Sequence, residues 1–428
     1  MKKNILTFFA VVAALSIRAA ERPNIVLIMA DDLGYECISA NGANDYLTPN
    51  IDRLAAGGIR FKQCFSNPKC TPSRVKIMTG LYGARNYVEF GTLDRSQTTF
   101  AHQLKQAGYA TAIAGKWQLG RELDAPTHFG FDQACLWQHI RTRTIAGRKG
   151  DTRYPNPHLE INGKEVDFNN GEYGPDICAK FICDFIETNK DRPFLAYYPM
   201  ILPHWPFEAT PDSADWDPKS MGGRKPKIPT PKAKAHFVDM VAYVDKIVGQ
   251  VVDTLERNGL RENTLIIFTG DNGTEKSITS QWSGRDIHGG KGQATDEGTR
   301  VALVFNWPGR IQPEVNQTEL VEFSDVLPTL CELSGAPLPA NYPGDGLSLS
   351  PVLFKKGTRN KEFVFLKYDA KICLRNIDVG IIPQRKKGYQ LLKYNGPYDS
   401  EPVDPANLLE KDRAFIENLQ KFYEGFNH

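Results

Sequence analysis

This 428-residue chain has no bilayer-length hydrophobic run, no paired-cysteine spacing and no surplus of one charge sign. Each absence closes off a class of protein. The apolar stretch Ile5 to Ile17 is short of the ~20 residues needed to span a bilayer. Lys2 and Lys3 precede it and Ala19-Ala20 follow it. It therefore reads as a secretory signal peptide over residues 1–20, with the mature protein secreted or periplasmic. The eight cysteines are scattered, without a C-x-x-C pair. If Cys70 has a role of its own, at least one of the other seven is unpaired, so buried thiols are expected rather than a disulfide framework. Loss of residues 1–20 leaves 49 basic against 50 acidic residues, so global charge gives no argument for a nucleic-acid or membrane partner. No internal repeat or low-complexity segment is present. The remaining composition, 41% hydrophobic and 24% charged, is ordinary for a globular chain.

Buried strands and helices alternate through most of the chain. Asn24–Met29, Tyr109–Ala114, Pro193–Tyr198, Thr264–Phe268 and Val301–Phe305 are apolar enough to be strands covered on both faces. Helices are expected from Thr48, over Thr98–Gln106, Pro175–Thr188, Ala233–Arg257 and Glu319–Leu333. In the fourth, Phe237, Met240, Val241, Val244, Ile247, Val248, Val251 and Leu255 make one stripe. The pattern predicts an α/β fold with a mostly parallel sheet covered by helices. Residues 135–170 break it and read as a surface insertion, and 211–231 as an irregular excursion. Beyond the proline-rich stretch after Gly335, short strands at Phe363–Leu366, Ile372–Arg375 and Tyr389–Lys393 and a helix from Pro405 to Phe422 suggest a smaller α+β domain with an antiparallel sheet. The expected division is a large domain over 21–336 and a smaller one over 337–428.

Polar clusters follow the strands. Asp31-Asp32, Lys116, His204 and Asp271-Asn272 each come just after one, and a parallel sheet gathers such strand ends on one edge, where ligands bind. Asp31, Asp32, Asp271 and Asn272 offer only oxygen ligands, which favours Ca²⁺ or Mg²⁺ over zinc, and an all-protein cage suits Ca²⁺ better. A lone aspartate there would read as a turn cap; two pairs after two strands read as a metal site. Arg74, Lys116 and Lys291 add positive charge, which with a divalent cation suits a tetrahedral oxyanion. Lys291 alone reads equally as a solvated loop lysine, and the glycines around it match no nucleotide-binding pattern. His204, between Pro203 and Trp205, could protonate a leaving oxygen. Cys70 precedes a helix that Pro72 is expected to start and Gly80 to end, at a positive helix terminus. It could be a thiolate, a ligand or something made from a cysteine.

Cys70-Thr71-Pro72-Ser73-Arg74, with Thr79-Gly80, resembles the C-x-P-S-R signature of the type I sulfatases, an arylsulfatase and carbohydrate-sulfatase family. Asn24–Gly34, Gly115–Gly120, Thr269–Gly273 and Gly289–Val301 resemble the family's other blocks in order. The resemblance covers roughly residues 22–335. It implies an alkaline-phosphatase-like sheet and conversion of Cys70 to formylglycine by a maturation enzyme. The hydrated aldehyde is then a geminal diol beside Ca²⁺. One hydroxyl attacks sulfur and displaces the alcohol; the other loses its proton, which expels sulfate and restores the aldehyde. By the same resemblance Asp31, Asp32, Asp271, Asn272 and the modified Cys70 hold the ion, and Arg74 supports the formylglycine. Lys116 and Lys291 contact sulfate, and His204 protonates the leaving oxygen.

Gln118 departs from the family, which usually has histidine there. Glutamine orients a diol but takes no proton at neutral pH, so altered proton handling is expected. The expected substrate is a sulfated carbohydrate. Trp137, His139, Arg141, Arg143, Arg153, Tyr154 and His158 are candidates for sugar and further anions, and Arg285 and His288 for the pocket near Lys291. Two alternatives stand beside this: a phosphodiester or phosphonate ester hydrolase, and a non-catalytic binder of sulfated glycans.

Overall fold

The computed structural model describes residues 22–138, 144–145, 148–149, 153–220, 231–368, 371–384 and 388–425. A ten-stranded sheet forms from β1 (Asn24–Ala30), β2 (Ile59–Phe61), β3 (Ala110–Lys116), β4 (Gln133–Trp137), β5 (His158–Ile161), β6 (Lys164–Asp167), β7 (Phe194–Pro199), β8 (Thr264–Gly270), β9 (Leu303–Asn306) and β10 (Glu314–Asn316). Its order is β10-β2-β9-β8-β1-β7-β3-β4-β5-β6. The five strands β8-β1-β7-β3-β4 run parallel, and antiparallel pairs flank them on both sides.

Alternation along β1 shows why the sheet is covered twice. Val26, Ile28 and Ala30 enter one core and Ile25, Leu27 and Met29 the other. Helices Gly174–Thr188 and Pro231–Arg257 cover the first face, the latter with the whole stripe from Phe237 to Leu255. Helices Cys70–Thr79, Phe100–Gln106 and Val326–Ser334 cover the second. Each aliphatic side chain so buried contributes about 1.5–3 kcal/mol. Among the described residues no helix is long and apolar enough to cross a membrane.

A second, antiparallel sheet runs in sequence order through Val364–Tyr368, Lys371–Arg375, Val379–Pro383, Tyr389–Gly396 and Asp399–Pro402. One face packs on helix Glu410–Gly425 through Phe365, Leu374, Ile381, Ile416 and Leu419. The other meets Phe65 and Leu320 of the main body. Buried Lys76, in the Cys70 helix, pairs with Glu322 and donates to the Phe365 carbonyl, so that helix is tied to the second sheet.

Several expectations change. Residues 135–170 are not simply a surface insertion: β4, β5 and β6 extend the main sheet, and the polar, exposed residues of edge strand β6 hid the pattern. Residues 319–333 are not one helix. Val321-Glu322 pairs with Cys64-Phe65, and Asp325 accepts from the Glu322 N–H (3.0 Å), so the helix begins only at Val326. The second sheet has two further strands, Val379–Pro383 and Asp399–Pro402. The Cys70 helix starts at Cys70, not Pro72. Proline is tolerated at its third position because first-turn N–H groups lack helical partners anyway. Gly80 does end it, in the left-handed region at φ 68°. All eight cysteines are free thiols.

Gly115, just before Lys116, has φ 119°, and a Cβ there would sit 2.0 Å from the Pro199 carbonyl oxygen. Gly115→Ala is therefore expected to lose about 2–4 kcal/mol through strain and the backbone clash. Denaturant unfolding measures this; an unchanged midpoint would contradict the tight β3–β7 approach.

Candidate active site

The four strands that carry the polar clusters are consecutive neighbours, β8-β1-β7-β3, so Asp271-Asn272, Asp31-Asp32, His204 and Lys116 converge at one edge. Backbone bonds fix the strand ends: Asp31 N–H donates to the Leu202 carbonyl (2.8 Å) and Asp271 N–H to Ala30 (2.9 Å). All three aspartates are fully buried.

Lys116 Nζ donates to both Asp31 oxygens, at 2.9 and 2.7 Å. Arg74, one turn into the Cys70 helix, donates to Asp271 Oδ2 (2.9 Å) and to the Lys116 carbonyl (2.9 Å). Lys291 Nζ donates to Asp32 Oδ2 (2.6 Å). Three carboxylates thus face three cations in a site nearly closed to water. Burial pushes Asp31 up, but Lys116, Arg74 and Lys291 outweigh it and hold the carboxyl below its usual range. Asp271 is raised, by burial and then by Asp31. For Lys291, burial works downward, yet Asp32, Cys70 and Asp31 hold the ammonium above its ordinary range.

Asn272 donates to Asp32 Oδ1 (2.8 Å), and the Asp32 N–H to Asp271 Oδ1 (3.0 Å). Asn272 Oδ1 is buried and accepts no hydrogen bond. Asp31, Asp32 and His204 each bring a ligand atom within 4.8 Å of one another. An orphaned amide oxygen beside crowded carboxylates is a donor set that fits a hard divalent cation.

Cys70 is buried as the first residue of its helix. The Lys291 loop lies against it, with Gly292 N–H donating to the Pro68 carbonyl (2.7 Å). Asn67 braces the same turn: its amide donates to the Pro72 carbonyl (2.9 Å), and its oxygen accepts from Lys367 N–H of the second sheet (2.9 Å). Gln118 is buried at φ 56°, its Oε1 without a hydrogen-bond partner. The cluster opens to solvent at Lys291 and His204, whose side chains are 16% and 15% exposed.

His204 Nε2 lies 3.1 Å from Lys291 Nζ and 3.6 Å from Asp32 Oδ2. Arg153 Nη1 lies 2.6 Å from its Nδ1 and donates to the Trp205 carbonyl (2.6 Å). Burial, then Lys291, Lys116 and Arg153, hold the imidazole well below its usual pKa. Nδ1 also faces the Trp205 carbonyl, an acceptor for an N–H there, so Nε2 is the atom turned to the site.

Four of the residues expected to meet sugar lie elsewhere, buried Trp137 among them. Arg153 is buried under His204 with its guanidinium 4.2 Å over the Trp137 ring, and buried Tyr154 donates to the Ile201 carbonyl (3.0 Å). They support the His204 loop because Arg153 and Tyr154 both bond to its backbone, at Trp205 and Ile201, with Trp137 under the Arg153 guanidinium. His158 pairs with Asp167 (2.8 Å). Arg285 and His288 are exposed on the hairpin preceding Lys291. His139, Arg141 and Arg143 lie outside the described residues. The brace at Asn67 had no signal beyond its closeness to Cys70.

A family model described as Sulfatase matches residues 23–336. The chain belongs to the sulfatase family. It is a sulfuric ester hydrolase of the alkaline phosphatase-like superfamily. This sulfatase is 33% identical to arylsulfatase A of Homo sapiens over 383 residues, covering 82% of this chain and 72% of that protein. It is 30% identical to arylsulfatase G of Rattus norvegicus over 392 residues, covering 81% and 71%. The crystal structure of Ps i-CgsB in complex with k-i-k-neocarrahexaose superposes with a TM-score of 0.76 at 26% identity, covering 95% of this chain and 94% of that one.

Arg153→Met removes the guanidinium that lies against His204 Nδ1 and holds the Trp205 carbonyl, while retaining a long apolar stem over Trp137. Sulfatase turnover should fall by about tenfold, a barrier change near 1.4 kcal/mol. Steady-state kinetics on an aryl sulfate check this, and an unchanged kcat would rule out the support assigned to Arg153.

Proposed function

We propose that this sulfatase acts on sulfated carbohydrates through a formylglycine made from Cys70 and one bound Ca²⁺. The observation that carries the reading is the position of Cys70, first in a helix whose Arg74 reaches Asp271, beside a Lys291 that reaches Asp32. Asp31, Asp32, Asp271, Asn272 and the modified residue 70 would hold the ion, which lends positive charge to the oxyanion. The hydrated aldehyde at residue 70 would supply the nucleophilic hydroxyl and a second hydroxyl for sulfate release.

The chain's own side chains carry the remaining work. Lys291 and Lys116 neutralise sulfate oxygens. The three carboxylates already balance the three cations, so a divalent ion gives the site the surplus positive charge that a sulfate ester offsets. His204 presents Nε2 to the leaving oxygen. Donation needs the imidazolium, whose Nδ1–H faces the Trp205 carbonyl, and the sulfate's negative charge favours that form against burial and the neighbouring cations. Gln118 orients the nucleophile through its unpartnered oxygen, and proton removal falls to water or another group. Ps i-CgsB holds an oligosaccharide in its crystal structure, which supports a glycan as the substrate class here. Residues 1–20 act as a signal peptide, residues 21–336 form the catalytic domain and 337–428 the smaller one. A formylglycine-generating enzyme matures the protein, which is secreted or periplasmic.

Initial rates on paired aryl sulfate and aryl phosphate esters test the reaction. Sulfate should be preferred by more than about 100-fold, near 2.7 kcal/mol of barrier. Cys70→Ala should reduce the rate to background, and chelation should reduce it reversibly with Ca²⁺. Preference for phosphate would overturn the sulfate reading. Activity that persists in Cys70→Ala would overturn the assignment of the nucleophile.

A further inference from the structure

The second sheet sends the Tyr398 side chain towards the active-site edge. Tyr398 lies at the tip of the hairpin between strands Tyr389–Gly396 and Asp399–Pro402, with φ 58°. Its hydroxyl donates to Glu36 Oε2 (2.7 Å). Glu36 Oε1 accepts from Thr274 Oγ1 (2.5 Å). Thr274 in turn holds both sides of the Asp32–Lys291 pair: its hydroxyl accepts from the Gly34 N–H (3.1 Å), two residues after Asp32, and its carbonyl accepts from the Lys291 N–H (3.0 Å). The Glu36 carboxylate lies against Gly34 so closely that a Cβ there would be 2.2 Å from Oε2.

A second contact fixes the tip independently. Tyr398 N–H donates to Asp296 Oδ2 (3.0 Å), five residues beyond Lys291, and Asp296 is itself paired with Arg300 (2.8 Å) and Arg375. The Tyr398 ring packs against Tyr35 and Trp282, with centroids 6.5 and 5.3 Å away. Removing only the hydroxyl would leave the ring and the backbone bond in place.

We infer that Tyr398 is a positioning residue for sulfate-ester hydrolysis, holding Asp32 and Lys291 in register through Glu36 and Thr274. The second sheet thereby completes the catalytic edge. Glu36 transmits the constraint because its two oxygens receive one hydroxyl from each sheet's loops. The inference rests on the roles proposed above for Asp32 and Lys291.

The test uses the full chain with Tyr398→Phe, Glu36→Gln, the double variant and Lys291→Ala, assayed on an aryl sulfate with active sites titrated. Tyr398→Phe and Glu36→Gln should each lower kcat by about tenfold with KM within about twofold, because alignment is lost and the binding groups remain. The double variant should be no slower than the slower single variant, since both break one chain of bonds. A purely architectural role would lower the melting temperature while kcat per active site stayed unchanged, and that result overturns the proposal. So does a double variant whose loss equals the product of the two single losses. Full activity in Lys291→Ala would instead overturn the assignment of Lys291 on which the proposal rests.

Discussion

Charge balance in a dry pocket is the constraint on which this structure depends. Asp31, Asp32 and Asp271 are fully buried, and a buried carboxylate without a partner costs several kcal/mol. Lys116, Arg74 and Lys291 meet that demand, and each comes from a different part of the chain: a strand end, a helix and a glycine-bounded loop. None of the three can move far without exposing a carboxylate to an uncompensated apolar surrounding. The charged edge is therefore a property of the whole fold. The parallel order β8-β1-β7-β3 sets where the strand ends lie, and two covered faces exclude water from their roots.

The same constraint explains the supporting architecture. The Cys70 helix must hold both residue 70 and Arg74 in place, and it is fixed at each end. Asn67 bonds its first turn to the Lys367 amide of the second sheet, while buried Lys76 pairs with Glu322 under the Phe365 carbonyl. His204 is likewise held from below by Arg153 on the Trp137 ring. Side chains that look suited to binding in isolation thus become supports once the fold is assembled.

Much of the edge was legible because its residues follow buried strands. Asp31-Asp32, Lys116, His204 and Asp271-Asn272 stand directly after apolar β-branched runs, and the parallel topology that gathers them follows from strand–helix alternation. The long helix was legible through its stripe from Phe237 to Leu255. Residues 135–170 were not, because edge strand β6 is polar and its partners are short. The helix start at Cys70 was obscured because proline suits any position in a first turn whose N–H groups are unbonded. Glu36 and Tyr398 carried no local signal, Asn67 only its closeness to Cys70, and Arg153 read as an anion contact rather than a support. Their roles depend on contacts between residues up to 362 positions apart, which periodicity does not encode.

The account turns on what occupies position 70. Mass spectrometry of the peptide carrying that residue, from active protein made in its native host, tests this most directly. An aldehyde, trapped as its hydrazone and replacing the thiol in the active fraction, is the predicted result. An unmodified cysteine in fully active protein would contradict it.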